Sequence, residues 1–290
     1  RCELSAMRTF RGGACENANV HSRRKKKFIE ACFIPRARGM EKVAVIQPLW
    51  EGYGVAERVT NADGTSTIVK RVKPPPGRTG LSHERKVMSY RVEAAFYASE
   101  LPSKLCAAGA AVALPASSFP PPSHEQISLT DLTATHAIQR QKAGLSTSEL
   151  KAALRWAANL HAATWEGSGG LVELLPSLWP TGTFFRLQTR HEELETLSAA
   201  AVDGGDSSSL LARVAKAVDW RLRGVRTPPR PDEADDGRLV AGASGWALLH
   251  GDLKAPNLFF SAEVAVPASP GPASAAACDF QYTGPGCVML

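Results

Sequence analysis

No apolar stretch approaches the ~18 residues that span a bilayer, so no membrane span is expected. The chain has no C-x-x-C pair. Its six cysteines, Cys2, Cys15, Cys32, Cys106, Cys278 and Cys287, are scattered, with no His cluster beside them. Neither a zinc site nor a disulfide framework is indicated, and a reducing compartment is the default. The body of the chain also lacks a charge excess: residues 40–290 carry 24 Lys or Arg against 25 Asp or Glu. The formal net charge of +6 therefore belongs to residues 1–39, with ten Lys or Arg against three Glu. Basicity confined to one end gives no reason to expect nucleic-acid binding by the folded part.

What is present is ordinary globular material. At 290 residues, 44% hydrophobic and 21% charged, the chain can bury a sizeable core as one large domain or two lobes. It begins with Arg, so an incomplete N-terminus is expected, with Met40 as an expected start. The basic run "RRKKKF" at 23–28 reads first as a disordered tail or mistranslated upstream sequence, and second as the remnant of an organelle transit peptide. Residues 1–40 are set aside as a tail. A cytoplasmic location is expected, or a plastid or mitochondrion if the tail is a transit peptide.

From Glu41 the pattern turns strand-like in "EKVAVIQPLW" and "VAERVTNADGTSTIVKRV", where Asp63-Gly64 signals a hairpin. "KPPPGRTG" is a loop, because three prolines forbid a ladder or helix interior. "SHERKVMSYRVEAAFYASEL" predicts a long helix with Val92, Ala95, Phe96 and Ser99 on one face, stopped by Pro102. Residues 111–126 read as strand-like and Pro-rich, and "ISLTDL" at 127–132 as a short buried strand ending in a polar turn. The second half reads as helical. Ser146 and Glu149 have capping-box spacing, with a stripe of Leu150, Leu154, Ala157, His161 and Trp165 behind them. "FFRLQTRHEELETL" and "SLLARVAKAVDWRL" are further helices, the latter lined by Leu211, Val214, Val218 and Leu222. "RGVRTPPRPDEADDGR" is a loop. "LFF" and "ACDF" predict a hairpin lengthened by the low-complexity "SAEVAVPASPGPASAA", which is expected to be mobile.

Four elements fall in order: a glycine-containing turn "WEGYGV" (Gly52, Gly54), Lys70 in the strand "TIVKRV", Glu93 on the following helix, and the pair "HGDLKAPN" and "CDF". On these residues the chain resembles the protein-kinase-like superfamily, in its small-molecule branch of choline-kinase-like, ecdysteroid-kinase-like and aminoglycoside-phosphotransferase-like proteins. "HGDLKAPN" fits H-x-D-x-x-x-x-N, and "CDFQ", whose Asp279 lies 22 residues after Asn257, matches the D-F-Q of the ecdysteroid-kinase-like group. "SHERKVMSYRVEAAFY" and "SLWPTGTFFRLQTR" also resemble that group. The resemblance spans residues 45–290.

It implies a two-lobed α+β fold, with a sheet-rich N-lobe at 41–132 and a mainly helical C-lobe at 133–290, and ATP between them. It implies an ATP- and Mg2+-dependent phosphotransferase acting on a hydroxyl of a small molecule. Lys70 would meet the α/β-phosphates and Glu93 would hold Lys70 by an ion pair. Gly52 and Gly54 would let backbone N–H groups approach phosphate. Asn257 and Asp279 would offer oxygen to magnesium, and Asp252 would orient the acceptor hydroxyl or take its proton.

Blander readings stand beside these. "WEGYGV" also fits a plain hairpin. His161 is expected in the core, and Trp156, Trp165 and Trp179 in packing. Asp131 is placed like a lobe-connecting hinge, with a cap or a ligand contact equally open. His250 is expected to brace its loop, and Lys254 has a less secure role at the phosphate. The alternatives are a protein kinase, against which Gly251 and Gln281 replace the usual arginine and glycine, or a catalytically silent fragment. The chain stops eleven residues after Asp279, so the helical lobe is expected to be incomplete and prone to aggregation.

Overall fold

The computed structural model describes residues 40–140, 144–183, 207–222, 244–261 and 273–288. Strand β1 (Met40–Pro48) leads through a tight turn at Trp50–Gly52 into β2 (Gly54–Asn61). β3 (Ser66–Val72) returns antiparallel to β2 in the register Gly54↔Val72 to Thr60↔Ser66. The hairpin turn is the expected one. Asp63 Oδ1 accepts from the Thr65 backbone N–H and hydroxyl, and Gly64 takes the positive φ that other residues resist.

Helix α1 (Leu81–Ala98) follows, then α2 (Leu101–Ala107). Pro102 does not end a helix, as the sequence suggested. It opens α2, where its missing N–H costs nothing. The actual break is at Ser99, which leaves the helical region and whose hydroxyl bridges the Phe96 carbonyl and the Leu101 N–H.

β4 is only Ala111–Val112, so much of the strand expected between 111 and 126 is irregular. β5 (Gln126–Thr130) joins β3 antiparallel, giving a four-stranded sheet in the order β1-β2-β3-β5. β6 (Ile138–Gln139) and α3 (Thr147–Ala163) follow. The capping box is present: Ser146 Oγ accepts from the Glu149 N–H, and Glu149 Oε2 accepts from the Ser146 N–H.

The face that α3 buries is not the expected one. Glu149, Ala152, Ala153, Trp156 and Leu160 face inward, while Leu150, Leu154 and Trp165 are exposed. The two stripes lie roughly 100° apart around the helix. The small residues win because they let the helix approach the strands that follow, while Trp156 fills the remaining space and donates Nε1–H to the Ala111 carbonyl.

α4 (Leu171–Leu174) and α5 (Ser207–Leu222) follow. In α5, Val214 and Val218 are exposed rather than lining a buried side. The expected helix at 184–197 and loop at 223–238 lie outside the described residues. The chain returns through β7 (Trp246–Leu249), β8 (Leu258–Phe260), β9 (Ala275–Ala277) and β10 (Gly284–Cys287). β8 and β9 form a hairpin, with Leu258 opposite Ala277, but the second strand is displaced from the expected "ACDF": it takes Ala275 and Ala276 from the expected loop and ends before Cys278; most of the loop lies outside the described residues. They join β4 and β6 in a second sheet, and β7 pairs with β10.

The α+β class therefore holds, with a sheet-rich first part and helices later. The main core gathers Phe96, Tyr97, Trp156, Leu160, Phe260 and Phe280, and a smaller cluster of Leu49, Tyr53, Ala56, Val72 and Tyr90 sits between the first sheet and α1. Among the described residues no helix is long and apolar enough to cross a membrane.

Candidate active site

A cleft of about 1210 Å³ runs between β1–β3, α1, α3 and the β7–β8 loop. β-Strand alternation puts Ile68 and Lys70 on the cleft side of β3 and buries Thr67 and Val69 on the other. Helical spacing puts Lys86, Tyr90 and Glu93 of α1 on the same cleft.

Lys70 Nζ donates to Glu93 Oε1 and Oε2 at 2.8 and 2.7 Å, and to Asp279 Oδ1 at 3.0 Å. Glu93 is 1% exposed, Lys70 16% and Asp279 30%, so the ion pairs are largely shielded from water. Burial alone would lower the Lys70 pKa, but Asp279 and Glu93 hold it well above the ordinary lysine value. It is an ammonium at any working pH. For Asp279, burial pushes up but the Lys70 ammonium wins and holds the carboxyl below its usual range. Glu93, more deeply set, is pushed up by burial that Lys70 only partly offsets.

The second group hangs from the loop after β7. Lys254 Nζ donates to Asp252 Oδ2 at 2.7 Å. Asn257 Nδ2–H reaches the Asp252 carbonyl at 3.0 Å and its Oδ2 at 3.5 Å. His250 braces the loop. Its Nε2–H donates to the Cys278 carbonyl at 2.9 Å, and its Nδ1 accepts from the Asp252 N–H at 3.3 Å. These two bonds call for the neutral imidazole, and burial lowers its pKa in the same direction. The Phe280 ring stacks on Phe96 at 4.0 Å and lies 4.6 Å from the His250 ring, so the segment after β9 is clamped between helix and loop.

Gly251 has φ +83°, and a Cβ there would collide with the Tyr282 carbonyl. A glycine at this position is thus required by the local backbone.

Lys70, Glu93, Asp252, Asn257 and Asp279 all line this one cleft. Gly52 and Gly54 do not line it. Gly54 sits against the Arg71 carbonyl, where a Cβ would clash, so the pairing of β2 with β3 already accounts for it. His161 is not a core residue, as expected from its neighbours; it is half-buried and lines the cleft. Trp156 and Trp179 pack inside, each with its N–H on a backbone carbonyl, whereas Trp165 is exposed.

Asp131 takes the capping role. Its carboxylate accepts from the Thr133 N–H and hydroxyl, from Ser66 Oγ at 2.7 Å and from Arg58 Nε at 2.6 Å. Burial would raise its pKa, but these bonds hold it low. Sequence reasoning missed Arg58; its position two residues after Ala56 on β2, hence on the same face, was the available signal. It also missed that Gln281 donates to Glu93 Oε2 at 3.3 Å, adding an amide to the ion pair.

Among the described residues no group of three or more His, Cys, Asp or Glu side chains could hold a metal. Asn257 Oδ1 and the second oxygen of Asp279 accept no hydrogen bond from the described residues. Two such hard oxygens fit a magnesium ion that keeps most of its waters.

No family model matches the chain, and no curated protein matches it. Among solved structures it is similar to the apoenzyme of macrolide 2'-phosphotransferase MphH from Brachybacterium faecium, with 11% identity, a TM-score of 0.41, and coverage of 86% of this chain and 69% of that one.

Proposed function

We propose that the protein transfers the γ-phosphoryl group of ATP to a hydroxyl of a small molecule, with Mg2+. The observation that supports this is the meeting, in one cleft, of a Lys–Glu–Asp cluster built around the buried Glu93 with an Asp–Asn loop. Phosphoryl transfer asks a protein mainly to hold charge in place. Lys70, fixed by two carboxylates, is a positive point charge whose position does not depend on the ligand, and it would meet the α/β-phosphates. Magnesium, held by Asn257 and Asp279, would neutralise charge on the phosphates.

Asp252 faces the acceptor. Its Oδ2 is engaged by Lys254 and Asn257, which leaves Oδ1 to accept the hydroxyl proton. The acceptor oxygen forms a bond to phosphorus, the bond from phosphorus to the β-phosphate oxygen breaks, ADP leaves, and the proton passes through Asp252 to solvent. The N-lobe and C-lobe of this reading meet near Asp131, after β5. A small-molecule acceptor is favoured over a protein acceptor because Gly251 has no room for the arginine of protein kinases.

The test is ATP turnover over a panel of alcohols, with wild type beside Asp252→Asn. A general base supplies ~10² or more in rate, so the variant is expected to lose at least that. An active wild type whose variant loses less than about tenfold removes Asp252 from the reaction.

A further inference from the structure

Among the described residues, four Lys or Arg side chains line the cleft: Arg58, Lys70, Lys86 and Lys254. Three are paired with a carboxylate at 3.0 Å or less: Arg58 with Asp131, Lys70 with Glu93 and Asp279, Lys254 with Asp252. The Lys86 ammonium makes no ion pair or hydrogen bond among the described residues. Its ammonium lies over the rings of Trp50 and Tyr53, 5.5 and 5.9 Å from their centroids. The nearby acid, Glu51, is taken by Arg78 at 2.8 Å. Lys86 is half-buried, and its burial, with Arg78 close by, outweighs the attraction of Glu51 and destabilises the charged form. A cation in contact with ring faces, whose nearest acid is already bonded to another cation, is electrostatically incomplete at the wall of a cleft.

Its place says what would complete it. Lys86, Tyr90 and Glu93 form one stripe of α1 on the cleft. Two helical turns, roughly 10 Å of rise, separate Lys86 from the glutamate that holds Lys70. Lys86 also stands beside the β1–β2 turn, whose Trp50 is 72% exposed and lines the cleft with residues 46–49. A polyphosphate whose inner phosphates sit at Lys70 would extend its outer phosphates toward this corner.

We infer that Lys86 is a second phosphate-binding cation of the cleft, engaging the terminal phosphates of the nucleotide and exchanging its ring contacts for them. This rests on the phosphotransferase reading above. Lys86 is then a discriminator of nucleotide length: it adds affinity for a triphosphate and none for a monophosphate.

The test is equilibrium binding of ATP, ADP and AMP, with Mg2+, to the full chain as wild type, Lys86→Met and Lys86→Arg. Met keeps the apolar stem and removes the charge. Loss of one charge-assisted contact is about tenfold or more, so Lys86→Met should weaken ATP by that factor and leave AMP within twofold, while Lys86→Arg retains most of the ATP affinity. Melting curves for both variants check that the fold is intact. Equal ATP affinity in wild type and Lys86→Met overturns the inference alone, as does an equal weakening of ATP and AMP, which marks a structural role. A wild type that binds none of the three overturns the phosphotransferase reading and this inference with it.

Discussion

Lys70 and Lys254 line one cleft and each is paired with a carboxylate, yet their surroundings differ. Lys70 is 16% exposed and is held by two acids, one of them 1% exposed; Lys254 is 53% exposed and is held by one acid, Asp252, at 17%. The Lys70 end is built into the core through α1 and the Phe96–Phe280 stack. The Lys254 end is a loop pinned mainly through backbone groups, by His250 and Asn257. The first arrangement fixes charge before any ligand arrives, which is what electrostatic preorganisation demands. The second holds its acid through an exposed lysine and leaves Asp252 Oδ1 without a bond from the described residues.

If that contrast is right, substitutions at the two ends should differ in stability as well as in activity. Glu93→Ala is expected to have the largest effect, about 3 kcal/mol, since removing one partner of a buried pair strands the other charge; Asp279, which remains, keeps the loss at the low end of that class. Urea unfolding would check it, and a loss below about 1 kcal/mol would make the buried end no different from a surface pair. Next comes Gly251→Ala, at about 1–3 kcal/mol, because it forces a side chain into a left-handed backbone against the Tyr282 carbonyl. Thermal melting reads this directly, and an unchanged melt would show that the loop can re-form around a Cβ. Lys254→Ala is expected to be the smallest, under about 1 kcal/mol, as befits an exposed pair. A larger loss in the same unfolding experiment would mean that the loop depends on its ion pair rather than on its backbone bonds.

Features set by near neighbours were legible in the sequence. The Asp63-Gly64 turn and the Ser146–Glu149 cap are made by groups two or three residues apart, so residue type and spacing are enough to specify them. Lys70, Glu93, Asp252, Asn257 and Asp279 were singled out through the resemblance that their motifs carry, since nothing local brings them together; the fold places all five on one cleft. What escaped depends on what each element packs against. The Leu150–Leu154 stripe is the more apolar face of α3, but the strands beneath it accept Ala152, Ala153 and Trp156 instead. Arg58 meets Asp131 across 73 positions, and Lys86 looks like any surface lysine until the β1–β2 turn folds over it. Gly54 was assigned to phosphate because glycine in a turn suggests close approach; the partner approached is the chain's own Arg71 carbonyl.

The bond from Lys70 to Asp279 joins residues 209 positions apart. At a synthesis speed of ~5–20 residues per second, the ribosome makes Asp279 roughly 10–40 s after Lys70. During that interval the first hairpin and α1 can already fold, with Lys70 held by Glu93 alone. The nascent chain thus carries a cleft-facing lysine well before it has the aspartate that completes its cage, and long-range closure of this kind is slow. Assembly of the site should therefore be among the last events in the biogenesis of this protein.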